Sequence, residues 1–260
     1  MVDSDGRSDA SSTDPISDPA WFPRRDQHGG APLVCGHRGS SATHPENTVA
    51  AAQGAVDAGA TWIEFDVRPC ADDLVIHHDP VTRDRTRVAT ATHRELDVHA
   101  DAPIPAFAEF VTACGPLGLD IELKTDGIDM PVERFVELVG EQIARHVASA
   151  NSVIVTSFDQ NALDTFRARH PEIATGVLFH DKTGGWAIGR AQAHGHDAIV
   201  PWFRLVDRRM VDAAHEAGLG VATWTVNKER HIRSMVRAGV DMIIGDDPAD
   251  IVAIVADAIA

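Results

Sequence analysis

Glu64 and Asp66 stand two residues apart in the run TWIEFDV (61–67), and Glu122 and Lys124 repeat that spacing in LDIELK (119–124). On an extended strand such partners share one face, roughly 7 Å apart along it. Ile63, Phe65 and Val67 take the opposite face of the first run, so that strand is carboxylate on one side and apolar on the other. A strand with only packing to do would seldom carry that pattern, because a buried carboxylate without a partner is costly. For any single acid, capping a helix or facing solvent is the ordinary role; two strands with the same pairing make a shared centre the better reading. Three carboxylates converging there would repel one another unless a cation lay between them. An all-oxygen donor set of Glu64, Asp66 and Glu122 suits Mg²⁺ or Ca²⁺ rather than zinc.

Histidine supplies the second kind of chemistry, since its pKa near neutrality lets it both take and give a proton. Fourteen are present, so position must select among them. His37 ends the apolar run LVCGH directly before Arg38, while His77 and His78 sit side by side before Asp79. Neighbours on an extended segment point to opposite faces, so only one of that pair can enter a site. His194 and His196 form an HxH ahead of the run DAIVP and are expected in a loop, away from the chemistry.

The elements that must position these side chains alternate along the chain. Strand candidates are LVCGH (33–37), TWIEFDV (61–67), LDIEL (119–123), SVIVTSF (152–158), ATGVLF (174–179), DAIVP (197–201), GVATWTV (220–226) and DMIIG (241–245). Helix-length segments separate most of them: an Ala-rich stretch from about Thr48 to Asp57, and 131–147, whose Val132, Phe135, Val136, Leu138, Val139 and Ile143 form one broad apolar face. Eight strand–helix units in about 230 residues predict an α/β fold of the (β/α)8 TIM-barrel kind, with its site at the C-terminal ends of the strands. No GxGxxG follows the first strand, which argues against an open dinucleotide-binding sheet. LVIHHDP (74–80) breaks the rhythm as a ninth strand. It opens an insertion of about 74–104 whose later part shows only a weak helical turn near Arg94–Asp97. Residues 1–30, rich in Asp, Ser and Pro, are expected to be a flexible tail, leaving 31–260 as a single domain.

The 260 residues are 44% apolar and carry a formal charge of −16. That charge repels nucleic acid phosphates and anionic lipid, so neither nucleic acid nor a stable membrane association is expected. An anionic substrate would need a local positive source. Cys35, Cys70 and Cys114 are odd in number and without a CxxC pair, which suits neither a disulfide framework nor zinc. With no basic start and apolar stretch at the N-terminus, a cytoplasmic protein is expected. The residues set no oligomeric state.

GHRGSSATHPENTVAA (36–51), WIEFDV, LVIHHDPVTRDRT, DIELK, SFDQNALDTFRARHP, GVATWTVNKE and AGVDMIIGDDP occur in that order. Together they resemble the motif series of the glycerophosphodiester phosphodiesterase family from about Val34 to Pro248. The resemblance implies a barrel with an inserted segment, a divalent ion, and hydrolysis of a glycerophosphodiester to glycerol 3-phosphate and an alcohol. It implies His37 and His78 as the paired acid and base, and Glu64, Asp66 and Glu122 as metal ligands. Arg38 and Lys124 would contact phosphate oxygens, Glu46 would orient Arg38 or the metal shell, and Trp224 would line the pocket for the glycerol or head group. Gly245 stands where the family often has threonine before its final Asp-Asp-Pro, and no role is assigned to that strand end. Two other functions compete: a phospholipase D-like activity on lysophospholipids, disfavoured by the polar 81–104 segment, and a non-catalytic barrel that binds a phosphorylated ligand.

Overall fold

The computed structural model describes residues 24–25, 29–100, 102–149 and 152–260. Their elements run β1 (Leu33–His37), α1 (Val49–Asp57), β2 (Trp62–Pro69), β3 (Leu74–Ile76), α2 (His93–His99), α3 (Phe107–Cys114), β4 (Gly118–Leu123), α4 (Val132–His146), β5 (Val153–Ser157), α5 (Gln160–Arg169), β6 (Ala174–Phe179), α6 (Gly184–His194), β7 (Ala198–Pro201), α7 (Arg208–Glu216), β8 (Gly220–Thr223), α8 (Glu229–Ala238), β9 (Met242–Gly245) and α9 (Pro248–Ile259). Apart from β3, every strand pairs in parallel with its neighbours, and β1 joins both β9 and β2. The sheet is therefore closed into an eight-stranded (β/α)8 barrel, as the alternation of apolar runs predicts. β3 lies antiparallel on the upper part of β2, pairing Val67 with Ile76.

Strand alternation divides the apolar residues between two compartments. Cys35, Trp62, Ile154, Val200, Ala222 and Met242 fill the barrel interior. Val34, Ile63, Phe65, Val67 and Ile121 point outward into a larger core against the helices. Phe107 and Phe110 of α3 close on Phe65, with ring centroids 6.1 and 4.8 Å away. Burying each such ring contributes on the order of 1.5–3 kcal/mol. The apolar stripe of α4 buries Phe135, Val136, Val139 and Ile143, the face its spacing foretells.

The insertion departs from expectation. Where the sequence suggests a weak turn, α2 forms two full turns, because Thr92 and Glu95 make a reciprocal capping box and Leu96 is wholly buried. Cys70, Val75, Val88, Ala91, Leu96 and Ile104 give this segment a small core of its own. The HxH pair also differs: His194 closes α6 and only His196 lies in the following loop, where Asp164 and Thr175 hold its ring at the foot of the barrel. Most of the expected tail lies outside the described residues. Arg25, within it, is tied to the barrel foot through Asp241 Oδ1 (2.8 Å) and the Val236 carbonyl (3.1 Å). The three cysteines are free and buried.

The floor of the barrel depends on one close approach. Trp62 fills the interior beside Gly118, and a Cβ placed on Gly118 would stand 2.3 Å from the indole ring. Gly118→Ala is therefore expected to destabilise the chain by about 1–3 kcal/mol through overpacking. Urea unfolding monitored by Trp fluorescence measures it, and an unchanged midpoint would show that the indole has room to move.

Candidate active site

Strand register brings the acidic side chains together. Glu64 pairs with Asp120 and Asp66 with Glu122 across β2 and β4, so their inward faces form two successive acidic layers. Each of Glu64, Asp66 and Glu122 offers an oxygen within 4.8 Å of the others, and all three are buried. Asp120, which sequence reasoning passed over although it stands two residues before Glu122, lies beneath them and accepts a 2.8 Å hydrogen bond from Thr156.

Two cations face the four acids. Arg38, at φ 54° just beyond β1, places Nε 3.1 Å from Asp66 Oδ2 and Nη1 2.8 Å from Glu46 Oε1, while its backbone N–H donates to Glu64 Oε2 at 2.9 Å. Lys124 Nζ lies 2.5 Å from Glu122 and 3.1 Å from Asp66. The turn holding Arg38 needs glycine at its next position: Gly39 has φ 87°, and a Cβ there would lie 2.5 Å from the backbone of Ala51 in α1. Asn47 secures the other side. It is buried at φ 57°, donates to Asp66 Oδ2 at 2.8 Å and accepts from the Asp66 N–H at 3.3 Å.

The balance of charge shows in the acidities. Burial first, then repulsion from Asp66 and Glu122, raises Glu64 well above the ordinary carboxylate range. Burial, with Asp66 adding to it against Lys124, pushes Glu122 up to about 7. Burial alone would raise Asp66 too, but Lys124 and Arg38 together hold it at about 2. Asp120 is pushed to about 7, chiefly by burial. Glu64 Oε1 and Asp66 Oδ1 are buried without a hydrogen-bond donor, since Lys124 approaches the latter without donor geometry. Orphaned, clustered carboxylate oxygens fit a hard divalent cation, and the absence of sulfur or imidazole from the set disfavours zinc.

Both selected histidines reach this centre. His37 and His78 line one cavity of about 390 Å³ together with Arg38, Glu64, Glu122, Lys124 and Trp224. His37 Nε2 is 3.9 Å from Glu64, and its Nδ1 is 2.6 Å from Asp246 Oδ1. His78 Nδ1 is 2.7 Å from Asp79, and its carbonyl accepts from the buried Arg68 Nε at 2.8 Å, which pins the turn after β3. Burial lowers the pKa of His78, and Lys124 and Arg38 add to that against Asp66. His77 turns away toward the Val81 carbonyl. Glu46 stays at the rim on Arg38 and does not reach the acid cluster's described oxygens. Trp224 leaves the β8 ladder and is anchored by Nε1 to the Val200 carbonyl at 2.9 Å, with Phe158 edge-on at 5.5 Å. Besides Asp120, sequence reasoning missed Asn47, Arg68 and Asp246. Asn47 was within its reach, because it lies inside the quoted PENT run.

Residues 37–250 match the model of the glycerophosphoryl diester phosphodiesterase family. A glycerophosphodiester phosphodiesterase of Caldanaerobacter subterraneus subsp. tengcongensis is 28% identical over 246 residues, 86% of this chain and 97% of that one. One from Bacillus altitudinis is 29% identical over 235 residues, covering 83% and 94%. Among solved structures, a phosphodiesterase of Oleispira antarctica in complex with the product sn-glycerol-3-phosphate superposes with a TM-score of 0.79 at 26% identity, covering 88% of this chain and 98% of that one.

Asn47→Ala removes one hydrogen bond from the buried Asp66 carboxylate and one from the Asp66 backbone N–H, and leaves alanine in a left-handed conformation, so a loss of about 2–4 kcal/mol is expected. Chemical denaturation measures it; a loss below 1 kcal/mol would mean that Asp66 is held without Asn47.

Proposed function

Because the chain belongs to the glycerophosphoryl diester phosphodiesterase family, we propose that it hydrolyses glycerophosphodiesters to sn-glycerol 3-phosphate and an alcohol. One observation carries the reading: two imidazoles, Glu64 and Glu122 of the buried acid cluster, and the cations Arg38 and Lys124 border a single cavity at the C-terminal mouth of the barrel, with Asp66 fully buried beside them. The product bound to the Oleispira antarctica protein supports the choice of substrate.

Glu64, Asp66 and Glu122 would hold a divalent cation, Mg²⁺ or Ca²⁺, which when bound supplies Lewis-acid charge to the phosphate. Arg38 and Lys124 pair with the remaining phosphate oxygens, lowering the repulsion that protects a phosphodiester anion from attack. One imidazole of the His37–His78 pair takes the proton of the attacking hydroxyl, from water or from the neighbouring glycerol carbon. The other delivers a proton to the departing alkoxide; where the glycerol hydroxyl attacks, the cyclic phosphate so formed is then opened by water with the two roles exchanged. Each has its Nδ1 on a carboxylate, so proton exchange with substrate falls to Nε2 in both. Trp224 and Phe158 line the same cavity edge to face and take the carbon skeleton.

Phe158, 40% exposed, is the one lining residue of that cavity among the exposed large hydrophobic side chains. With Trp224, Leu178 and Ile244 it lines a cavity of about 390 Å³, room for a glycerol and a small head group rather than an acyl chain, which favours deacylated diesters over lysophospholipids. No described helix is long and apolar enough to cross a membrane. A cytoplasmic enzyme acting on small diesters, with residues 31–260 as one catalytic domain, completes the proposal.

Turnover of glycerophosphocholine, followed by release of sn-glycerol 3-phosphate, should require Mg²⁺ or Ca²⁺ and stop with EDTA. His37→Ala and His78→Ala should each lower it by about 10²- to 10⁴-fold while the chain stays folded. Full activity in either variant would remove that histidine from the mechanism, and faster release from lysophosphatidylcholine would favour the lipid substrate. Independently of activity, a divalent ion at 100 times its Kd should add about 2.7 kcal/mol to native stability. Glu122→Gln should abolish that gain, and a thermal midpoint indifferent to both ions in the native chain would sink the metal site.

A further inference from the structure

Asp246 follows β9, at the strand end to which the motif comparison assigned no part. Its carboxylate is held from two segments, the end of β1 with the loop that follows it and the loop after β8. His37 Nδ1 lies 2.6 Å from Oδ1, and Asn227 Nδ2 donates to Oδ2. Ser41 Oγ, whose stronger bond is to the His37 carbonyl at 2.8 Å, stands 3.3 Å from Oδ1. Asn227 also accepts from the Asp246 N–H at 2.9 Å, and the Asp246 carbonyl accepts from Ala42 N–H at 2.9 Å. Capping of α9 falls to Asp247, so the Asp246 side chain has no helix to serve.

We propose that Asp246, oriented by Asn227 and Ser41, is a positioning residue that fixes the tautomer and ring plane of His37, so that its Nε2 alone meets the substrate. An ionised carboxylate only accepts hydrogen bonds, so the Nδ1 facing it must carry a proton. The neutral ring then keeps its lone pair on Nε2, the nitrogen that faces Glu64 and the cavity. Burial works against ionisation of Asp246, yet the hydrogen bonds from His37, Asn227 and Ser41 outweigh it and hold the acid below its ordinary range. The other histidine lacks such a frame. Asp79, behind His78, has a side chain 67% exposed, whereas that of Asp246 is 33% exposed and braced on both oxygens.

This proposal rests on reading His37 as a proton-transfer group, and two measurements separate it from that reading. In the native chain, ¹⁵N imidazole shifts assigned to His37 by their loss in His37→Gln should report the Nδ1–H tautomer of the neutral ring. A predominant Nε2–H form would overturn the proposal without any assay of turnover. In Asp246→Asn, which keeps the side-chain shape but can offer an amide N–H to the ring, the same shifts should move toward Nε2–H. kcat on glycerophosphocholine with saturating divalent ion should fall by roughly 10²- to 10⁴-fold, with KM changed less than threefold. Asn227→Ala, which keeps the carboxylate and loosens it, should give a smaller fall of the same kind. A folded Asp246→Asn chain with kcat within threefold of native would overturn the proposal, as would a loss confined to KM. A native chain inactive with either ion would instead overturn the hydrolase reading and leave the tautomer result standing.

Discussion

The structure turns on an excess of buried negative charge that the fold itself creates. Pairing β2 with β4 in a register that sets Glu64 beside Asp120 and Asp66 beside Glu122 stacks four carboxylates in a closed barrel, against Arg38 and Lys124. In a medium of low polarisability such a group either stays partly protonated or recruits positive charge. The chain's answer is uneven: Arg38 and Lys124 both stand beside Asp66, which Asn47 also bonds and which stays ionised, while burial and repulsion raise Glu64 and raise Glu122 even though Lys124 lies 2.5 Å from it. Much of the neighbouring loop architecture serves that asymmetry. Gly39 and the left-handed Arg38 and Asn47 stand where one guanidinium and one amide can both reach Asp66 Oδ2.

The same arrangement reconciles a strongly acidic surface with an anionic substrate. Lys124 and Arg38 are nearly buried, so their charge is screened little by solvent and is felt at the mouth of the barrel rather than across the surface. The −16 of the whole chain repels polyanions such as nucleic acid at long range, while a single small phosphodiester entering the cavity meets Arg38 and Lys124 directly; with four acids beside them, a net positive field there would need a bound cation as well.

What could be foreseen from residues alone followed physical periodicity. The two-residue spacing of Glu64, Asp66, Glu122 and Lys124 survives folding because strands alternate faces, and all four stand at the barrel mouth as that spacing requires. The eight strands were visible for the same reason, since one face of each carries Ile, Val or Leu against the helices. Three kinds of feature were hidden. α2 depends on a capping box and one buried Leu96, a local bonding pattern too short for periodicity to register. Asp246 and His37 are 209 positions apart and meet only because β9 closes the barrel on β1, a contact that no local window can contain. Arg68 was concealed differently: as a cation on a strand it looks solvated, yet its guanidinium is spent on the His78 carbonyl and on Asp126.

Trp62, seated against Gly118, has a further consequence. With that indole and the layer of Met242, Val200 and Ile154 above and around it, the barrel has a closed bottom rather than a through-channel. Reactant, water and both fragments must therefore share one doorway. Access to the acids is from one end, so whatever enters last stands between solvent and whatever lies deeper in a blind well.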